Sequence, residues 1–256
     1  MRTRLATGLA VLLGLTSVAA CGSDDSEGSS TKQDVTIRVF AAASLTESFT
    51  ELGKQFEKVH PGTKVQFSFG PSSGLAEQIG SDAPADVFAS ASPSNMDTVV
   101  QAGDAKDPED FATNSMEIAT PPANPAKIKS LDDLANHGVK VAVCQPQVPC
   151  GKVAAEVFSK ANLNVKPATE EVDVKSVLTK VTLGEVDAGM VYVTDVQAAG
   201  DKVKGVEIPE NQNASTSYPI ATLTHSEHKL QASQFVDLVV SDEGAKVLEE
   251  AGFESP

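Results

Sequence analysis

Residues 35–59 read VTIRVFAAASLTESFTELGKQFEKV, and this stretch decides the fold class. Residues 35–40 alternate in polarity and are rich in β-branched side chains, which predicts a strand. The amphipathic stretch that follows runs up to a Pro-Gly pair at 61–62, which predicts a helix. Ser44 and Glu47 have the spacing of a capping box at the start of that helix. Residues 35–59 are thus predicted to form a strand followed directly by a helix.

The same alternation continues along the chain. Further strands are predicted at 64–69, 85–90, 116–120, 139–144, 188–193 and 218–223. Further helices are predicted near 75–79, 94–102, 130–135, 150–161, 173–183 and 230–251. Strands that alternate with helices are typical of α/β proteins, in which helices flank a parallel sheet.

Small and hydroxylated residues fill several strand-to-helix links. In open parallel sheets, ligands bind beyond the carboxyl ends of the strands, where helix N-termini point. The first N–H groups of a helix lack intrahelical acceptors and favour negative charge. The links concerned are Ala43-Ser44, Ser72-Ser73-Gly74, Cys150-Gly151 and Thr194-Asp195. Together they predict an anion pocket that needs no cationic side chain.

Composition excludes several function classes. The 256 residues carry a net charge of −15, whereas binding to nucleic acid or to an anionic membrane requires a basic face. Aromatic residues make up 5% of the chain and Trp is absent, which disfavours base-stacking platforms. The four histidines are scattered and are interpreted as surface residues rather than metal ligands: His60, His137, His225 and His228.

The N-terminus has the pattern of an export signal. Residues 1–20 combine a basic start with an apolar run too short for a stable membrane span. The run ends in Ala-Ala directly before Cys21, which resembles a bacterial lipobox, so Cys21 is the predicted lipidation site. The alternative is a plain signal peptide with an incidental cysteine. Residues 21–33 are polar and Gly/Ser-rich, which predicts a flexible tether to the outer face of the cell membrane.

Four segments point to a known family: FAAASLT at 40–46, PADVFASA at 84–91, VPCG at 148–151 and GMVYVTD at 189–195. They resemble motifs of the periplasmic molybdate-binding proteins of ABC importers. The first and last segments are the more specific, since the Ala-Asp-Val-Phe pattern is shared more widely among solute-binding proteins. The resemblance runs from about residue 35 to 253.

The resemblance implies the type II periplasmic binding protein fold. This α/β fold has two lobes, each a mostly parallel sheet flanked by helices, with the ligand in the cleft between them. Residues 34–114 and 219–256 would form lobe I, and residues 115–218 would form lobe II. The chain would cross between the lobes near Asn114-Ser115 and Tyr218-Pro219.

The family holds a tetrahedral oxyanion with hydroxyl and backbone N–H groups. The resemblance assigns the hydroxyls to Ser44, Ser72 and Tyr192, and the N–H groups to Cys150 and Val174. No Asp or Glu is assigned to the site.

The sequence departs from the family pattern in two places. Pro71 stands where another Ser is frequent, and Cys150 stands where Ala is common. The second change matters little if only the backbone N–H of residue 150 is used. Ser73 is left as a cap or supporting residue.

The implied function is capture of molybdate, and also of tungstate, for delivery to an ABC permease and its ATPase. The resemblance implies a monomer that is not an enzyme and has no cofactor, because molybdenum is present only within the bound oxyanion. Another tetrahedral oxyanion such as sulfate is the alternative ligand, since it uses the same donors. An iron site would need several tyrosines converging with histidines and carboxylates. It is disfavoured because the chain has only two tyrosines.

Cys144 and Cys150 bracket the sequence Gln-Pro-Gln-Val-Pro. In an exported protein two such cysteines are predicted to form a disulfide, with two free thiols as the alternative.

A serine hydrolase is the alternative from another class. Gly70-Pro71-Ser72-Ser73-Gly74 matches the nucleophile elbow G-x-S-x-G, and Asp195 and His225 follow in triad order. Against this, only two predicted strands precede Ser72, and Pro71 restricts the backbone at the tightest point of the turn.

Overall fold

The computed structural model describes residues 34–256, in which strands and helices alternate along most of the chain. The strands are β1 Val35–Ala42, β2 Thr63–Gly70, β3 Val87–Ala89, β4 Glu109–Thr120, β5 Val141–Cys144, β6 Thr169–Glu171, β7 Ala188–Tyr192, β8 Lys204–Val206 and β9 Ser215–Thr222. The helices are α1 Thr46–Val59, α2 Ser72–Ile79, α3 Pro93–Ala102, α4 Pro149–Lys160, α5 Val174–Thr182, α6 Val193–Ala199, α7 Lys229–Val240 and α8 Asp242–Glu250. The predicted α/β class is confirmed. The predictions for residues 1–20, Cys21 and residues 21–33 lie outside the described residues.

The nine strands of residues 34–256 form a mixed sheet in the order β2-β1-β3-β9-β4-β7-β5-β6, and β8 pairs with β4. β1 runs parallel to β2 and β3, and β5 runs parallel to β6 and β7. The carboxyl ends of each parallel set therefore lie at a common edge. β4 and β9 are antiparallel to each other and to the strands beside them. The division into two lobes stays a prediction.

The hydrophobic core is divided between two parts of this sheet. Residues 37–112 and 218–253 supply two clusters, which we call the first core region. Residues 116–214, together with Ala43, supply a third cluster, which we call the second core region. Across residues 34–256 no helix is both long enough and apolar enough to cross a membrane.

Two local predictions are wrong. The predicted helix over 230–251 is two helices, because Ser241 between them is extended and its Oγ accepts a hydrogen bond from the Gly244 N–H. The capping box is also absent, since Ser44 lies in a 3-10 helix over Ala43–Leu45 and makes no cap bond to α1.

The predicted strand over 116–120 is longer than expected. β4 begins at Glu109 because β9 supplies a partner along its first half, a long-range contact that local sequence does not report. The edge strands β6 and β8 are three residues each and are not predicted.

Candidate functional site

A small pocket lies at the carboxyl ends of the two parallel sets of strands. Its walls come from the links after β1, β2 and β3 on one side and after β5, β6 and β7 on the other. The five residues assigned to the site all line it, and their role as ligands stays a prediction. The lining residues are Ala42, Ala43, Ser44, Gly70, Pro71, Ser72, Ala91, Val148, Pro149, Cys150, Asp173, Val174 and Tyr192.

Ser44 is buried, and its Oγ lies 2.9 Å from the hydroxyl oxygen of Tyr218. Burial raises the pKa of Tyr218 above its usual value, so the phenol is protonated at neutral pH. When Tyr218 donates this bond, the Ser44 hydrogen is free to bond a ligand in the pocket. Local sequence gives no signal for this contact, because the two residues are 174 positions apart.

Ser72 is the first residue of α2 and is fully buried. Its Oγ accepts a hydrogen bond of 3.0 Å from the Ala91 N–H, which ties the link after β2 to the link after β3. The hydroxyl hydrogen of Ser72 is therefore available to an acceptor in the pocket. Pro71 is accommodated because it stands just before the helix, in extended backbone with φ −65°.

The disulfide prediction is confirmed, since Cys144 and Cys150 are joined with a Cα–Cα distance of 5.7 Å. Cys150 is the second residue of α4, so its N–H has no intrahelical acceptor. Gly151 packs so closely on the turn before the helix that a Cβ there would overlap the carbonyl of Gln145. The disulfide and this contact hold the start of α4 at the pocket wall.

Val174 is the first residue of α5, and Asp173 caps that helix by accepting a bond of 2.8 Å from the Ser176 N–H. The cap leaves the Val174 N–H without an intrahelical acceptor. Within residues 34–256, Asp173 and Tyr192 are the ionisable side chains that line the pocket, and none of the sequence motifs assigned Asp173 to it. An Asp directly before a helix is a common N-cap signal and identifies this residue in retrospect.

Tyr192 ends β7, and its buried hydroxyl has no hydrogen-bond partner among residues 34–256. Burial raises its pKa well above the usual value, so this hydroxyl is a neutral donor. Its ring packs edge-on against that of Tyr218, with centroids 6.3 Å apart. A buried polar group without a partner costs about 1–3 kcal/mol, so an acceptor in the pocket would relieve this cost.

No lysine or arginine of residues 34–256 lines the pocket, but Lys175, which directly follows the lining residue Val174, belongs to a charge network. The ammonium of Lys175 is 2.7 Å from Glu47 Oε2 and 3.1 Å from Asp195 Oδ1. Burial alone would lower the pKa of Lys175, but the two carboxylates outweigh it and raise the pKa, so the ammonium stays charged. The pocket therefore offers hydrogen-bond donors without a cation among its lining side chains.

The residues of the hydrolase alternative do not come together. Asp195 is paired with Lys175, and His225 is exposed and 3.7 Å from Asp104 in a separate open cleft. Ser72 lines the central pocket, and His225 does not. Among the residues that the structure describes, no group of three or more His, Cys, Asp or Glu could hold a metal ion.

Comparisons with known proteins agree on one family. The family described as bacterial extracellular solute-binding protein matches residues 37–254. The chain is 41% identical to the molybdate-binding protein ModA of Mycobacterium tuberculosis, over 98% of this chain and 98% of that relative.

Two solved structures share the fold. The periplasmic molybdate-binding protein of Azotobacter vinelandii has a TM-score of 0.76 at 21% identity, covering 86% of this chain and 99% of that one. The sulfate-binding protein SubI of M. tuberculosis has a TM-score of 0.74 at 19% identity, covering 86% and 87%. At such identities the likeness concerns the fold alone.

Proposed function

The chain belongs to the bacterial extracellular solute-binding proteins, in the family of the molybdate-binding protein ModA, and on this premise we propose that it captures molybdate for an ABC importer. Tungstate, which has the same charge and shape, is the second expected ligand. The donors are the hydroxyls of Ser44, Ser72 and Tyr192 and the N–H groups of Cys150 and Val174.

The observation that carries this proposal is the donor set of the pocket. Three hydroxyls and two helix-terminal N–H groups line this pocket, and no lysine or arginine of residues 34–256 does. A fully deprotonated dianion accepts from all of these groups and presents no proton of its own. The Tyr192 hydroxyl is buried and has no hydrogen-bond partner in the part of the chain that the structure describes, which supports a ligand acceptor at that point.

Sulfate is the alternative that the donors do not exclude by chemistry, since it is also a tetrahedral dianion. Its bonds are shorter than those of molybdate. Donors spaced for the larger ion therefore cannot all reach sulfate at once, and each hydrogen bond lost to a charged group costs about 1.5–3 kcal/mol. Family membership favours molybdate.

Isothermal titration calorimetry of the ligand-stripped protein tests the assignment. We expect one site per chain for molybdate and for tungstate. Sulfate should lose at least one hydrogen bond to a donor, so its affinity should be lower by about tenfold or more. Absence of heat with molybdate at micromolar protein would overturn the proposal. Tighter binding of sulfate than of molybdate would establish the alternative.

We also propose that the ligand closes two lobes, formed by residues 34–114 with 219–256 and by residues 115–218. The separate hydrophobic cores of the first and second core regions support this division. Small-angle scattering should show a smaller radius of gyration after addition of molybdate. An unchanged radius would contradict closure.

The remaining proposals concern the cell surface. Cleavage after residue 20 and acylation of Cys21 would leave the monomer tethered outside the cell membrane, next to the permease and its ATPase. Incorporation of labelled palmitate into the wild type but not into the Cys21→Ser variant would support the anchor. Release of wild-type protein into the medium without label would argue for a plain signal peptide.

A further inference from the structure

A three-residue ionic bridge lies behind the pocket. The ammonium of Lys175 contacts Glu47 Oε2 at 2.7 Å and Asp195 Oδ1 at 3.1 Å. Lys175 directly follows Val174, while Glu47 and Asp195 each come three positions after a pocket residue, Ser44 and Tyr192. The bridge therefore connects the three links that carry these pocket residues.

Burial divides the bridge into a fixed contact and an accessible one. Asp195 is fully buried, and a buried carboxylate requires a charged or hydrogen-bonding partner, which Lys175 supplies. The other oxygen of Asp195 accepts a bond of 3.1 Å from the Tyr192 N–H. Glu47 is 51% exposed, so its contact with Lys175 is open to water and salt.

The accessible contact is also the one that joins the two core regions. Glu47 lies on α1 in the first core region, whereas Lys175 on α5 and Asp195 on α6 lie in the second. Moving the two regions apart would break the Lys175–Glu47 contact and leave the Lys175–Asp195 contact in place. The exposed pair is thus the part of the bridge that can open and close with the pocket.

We propose that Lys175 is a positioning residue for the oxyanion site, and that its contact with Glu47 slows ligand release by holding the Ser44 side of the pocket against the Tyr192 side. This role rests on the proposed function. It adds no donor to the ligand, because Lys175 does not line the pocket.

The test compares Glu47→Gln with Glu51→Gln as a matched control. Glu51 lies one turn further along α1, and within residues 34–256 its polar partners belong to that helix, with Lys54 at 3.6 Å and Gln55 at 3.2 Å. Molybdate release is followed by stopped-flow tyrosine fluorescence, since the chain has no Trp, Tyr192 lines the pocket, and the hydroxyl of Tyr218 lies 2.9 Å from Ser44 Oγ. Removal of an exposed ion pair should raise the release rate of Glu47→Gln about two- to fivefold, with the association rate unchanged.

Salt supplies a readout that a merely structural role would not change. Rising salt should accelerate release from the wild type and from Glu51→Gln, because it screens the exposed pair, while release from Glu47→Gln should change little. Lys175→Arg should retain slow release, since it keeps the cation that pairs with both carboxylates. Equal release rates and equal salt slopes in the wild type and Glu47→Gln would overturn the proposal.

A ligand-free measurement separates this proposal from the proposed function. Without any oxyanion the protein exchanges between open and closed arrangements, and the Lys175–Glu47 contact forms only in the closed one. Glu47→Gln should therefore shift this mixture towards the open arrangement and have a larger radius of gyration by small-angle scattering than the wild type, while Glu51→Gln should match the wild type. If the wild type binds no molybdate, the proposed function fails, and the scattering comparison still decides whether the bridge holds the two core regions. Identical radii in all three proteins would refute the bridge.

Discussion

The two sides of the pocket present their donors in different ways. On the first core region the donors are the side-chain hydroxyls of Ser44 and Ser72, and each oxygen is already bonded to another part of that region. On the second core region, two of the donors are backbone N–H groups at the starts of α4 and α5. The third, the Tyr192 hydroxyl, has no partner among residues 34–256.

This difference decides what a substitution can remove. A hydroxyl on the first side disappears when serine becomes alanine, whereas an N–H on the second side survives every substitution except proline. The second side is therefore sensitive to backbone position, and the disulfide and Gly151 determine that position for α4.

The largest effect is expected at Gly151, on the second side. In Gly151→Ala the new Cβ would overlap the Gln145 carbonyl, and backbone atoms cannot rotate away as a side chain could. We expect unfolding free energy to fall by about 3 kcal/mol, with molybdate affinity reduced as the Cys150 N–H is displaced. Urea unfolding and calorimetry measure both. Gly74→Ala, where the nearest atom is 3.4 Å away, is the matched control, and equal stabilities would contradict the argument.

On the first side, Ser44→Ala and Ser72→Ala should each weaken molybdate binding tenfold to hundredfold. A hydrogen bond to a charged group contributes about 1.5–3 kcal/mol, which corresponds to that range. Ser44→Ala also removes the hydrogen bond to the buried Tyr218 hydroxyl, and Ser72→Ala leaves the Ala91 N–H without its acceptor, so both variants should lose stability as well. Calorimetry beside urea unfolding separates the two effects. Wild-type affinity in both variants would remove these hydroxyls from the site.

Loss of the disulfide tests what holds the second side in place. Replacing both Cys144 and Cys150 by alanine should lower unfolding free energy by about 2 kcal/mol, the chain-entropy value for so short a loop. Reducing agent should bring the wild type to the stability of the double variant and leave that variant unchanged. A reductant effect of equal size on both proteins would show that the disulfide is not its source.

Val174→Pro directly tests the claim that backbone donors act on the second side. Proline is tolerated at the first position of a helix, and Asp173 before it is already extended, so the fold should survive while the N–H is lost. We expect about tenfold weaker binding of molybdate, the lower end of the range for a bond to a charged group. Val174→Ala keeps the N–H and is the control. Similar affinities in these two variants would exclude this donor.

The smallest effect concerns pH and lies away from both sides of the pocket. Burial and the neighbouring Glu207 raise the pKa of Glu117 on β4 from 4.5 to about 7. Between these values the folded protein holds a proton that the unfolded chain has released, so unfolding free energy falls as pH rises towards 7 and stays lower above it.

Glu117→Gln should remove this pH dependence and stabilise the protein at pH 8, by at most about 1 kcal/mol because solvent screens the partly buried group. Urea unfolding at pH 5 and pH 8 measures it. Molybdate affinity should not follow the same pH profile, since Glu117 does not line the pocket. If molybdate affinity and unfolding free energy had the same pH profile, the Glu117 carboxylate would affect the oxyanion site.

The sequence predicts the pocket better than it predicts the contacts behind it. Period-two and helical patterns locate β1 and α1, and the link between them places Ser44 at a strand end. The same local reasoning interprets Ser44 and Glu47 as a capping box. In the structure both side chains have distant partners instead, Tyr218 and Lys175. The tertiary contact of Ser44 is favoured over a local cap because it also gives the buried Tyr218 hydroxyl a hydrogen-bond partner.

By itself, the sequence determined the α/β alternation, the strand-to-helix links with their small and hydroxylated residues, and the Cys144–Cys150 pair, because each is a local pattern of periodicity, turn chemistry or short spacing. Only the tertiary structure decided which links face one another, where β4 and β9 pair, and which residues support the donors. The Tyr218 hydroxyl and the Lys175 bridge join positions more than a hundred residues apart along the chain. Such contacts depend on how strands are ordered in the sheet, and no local period encodes that order.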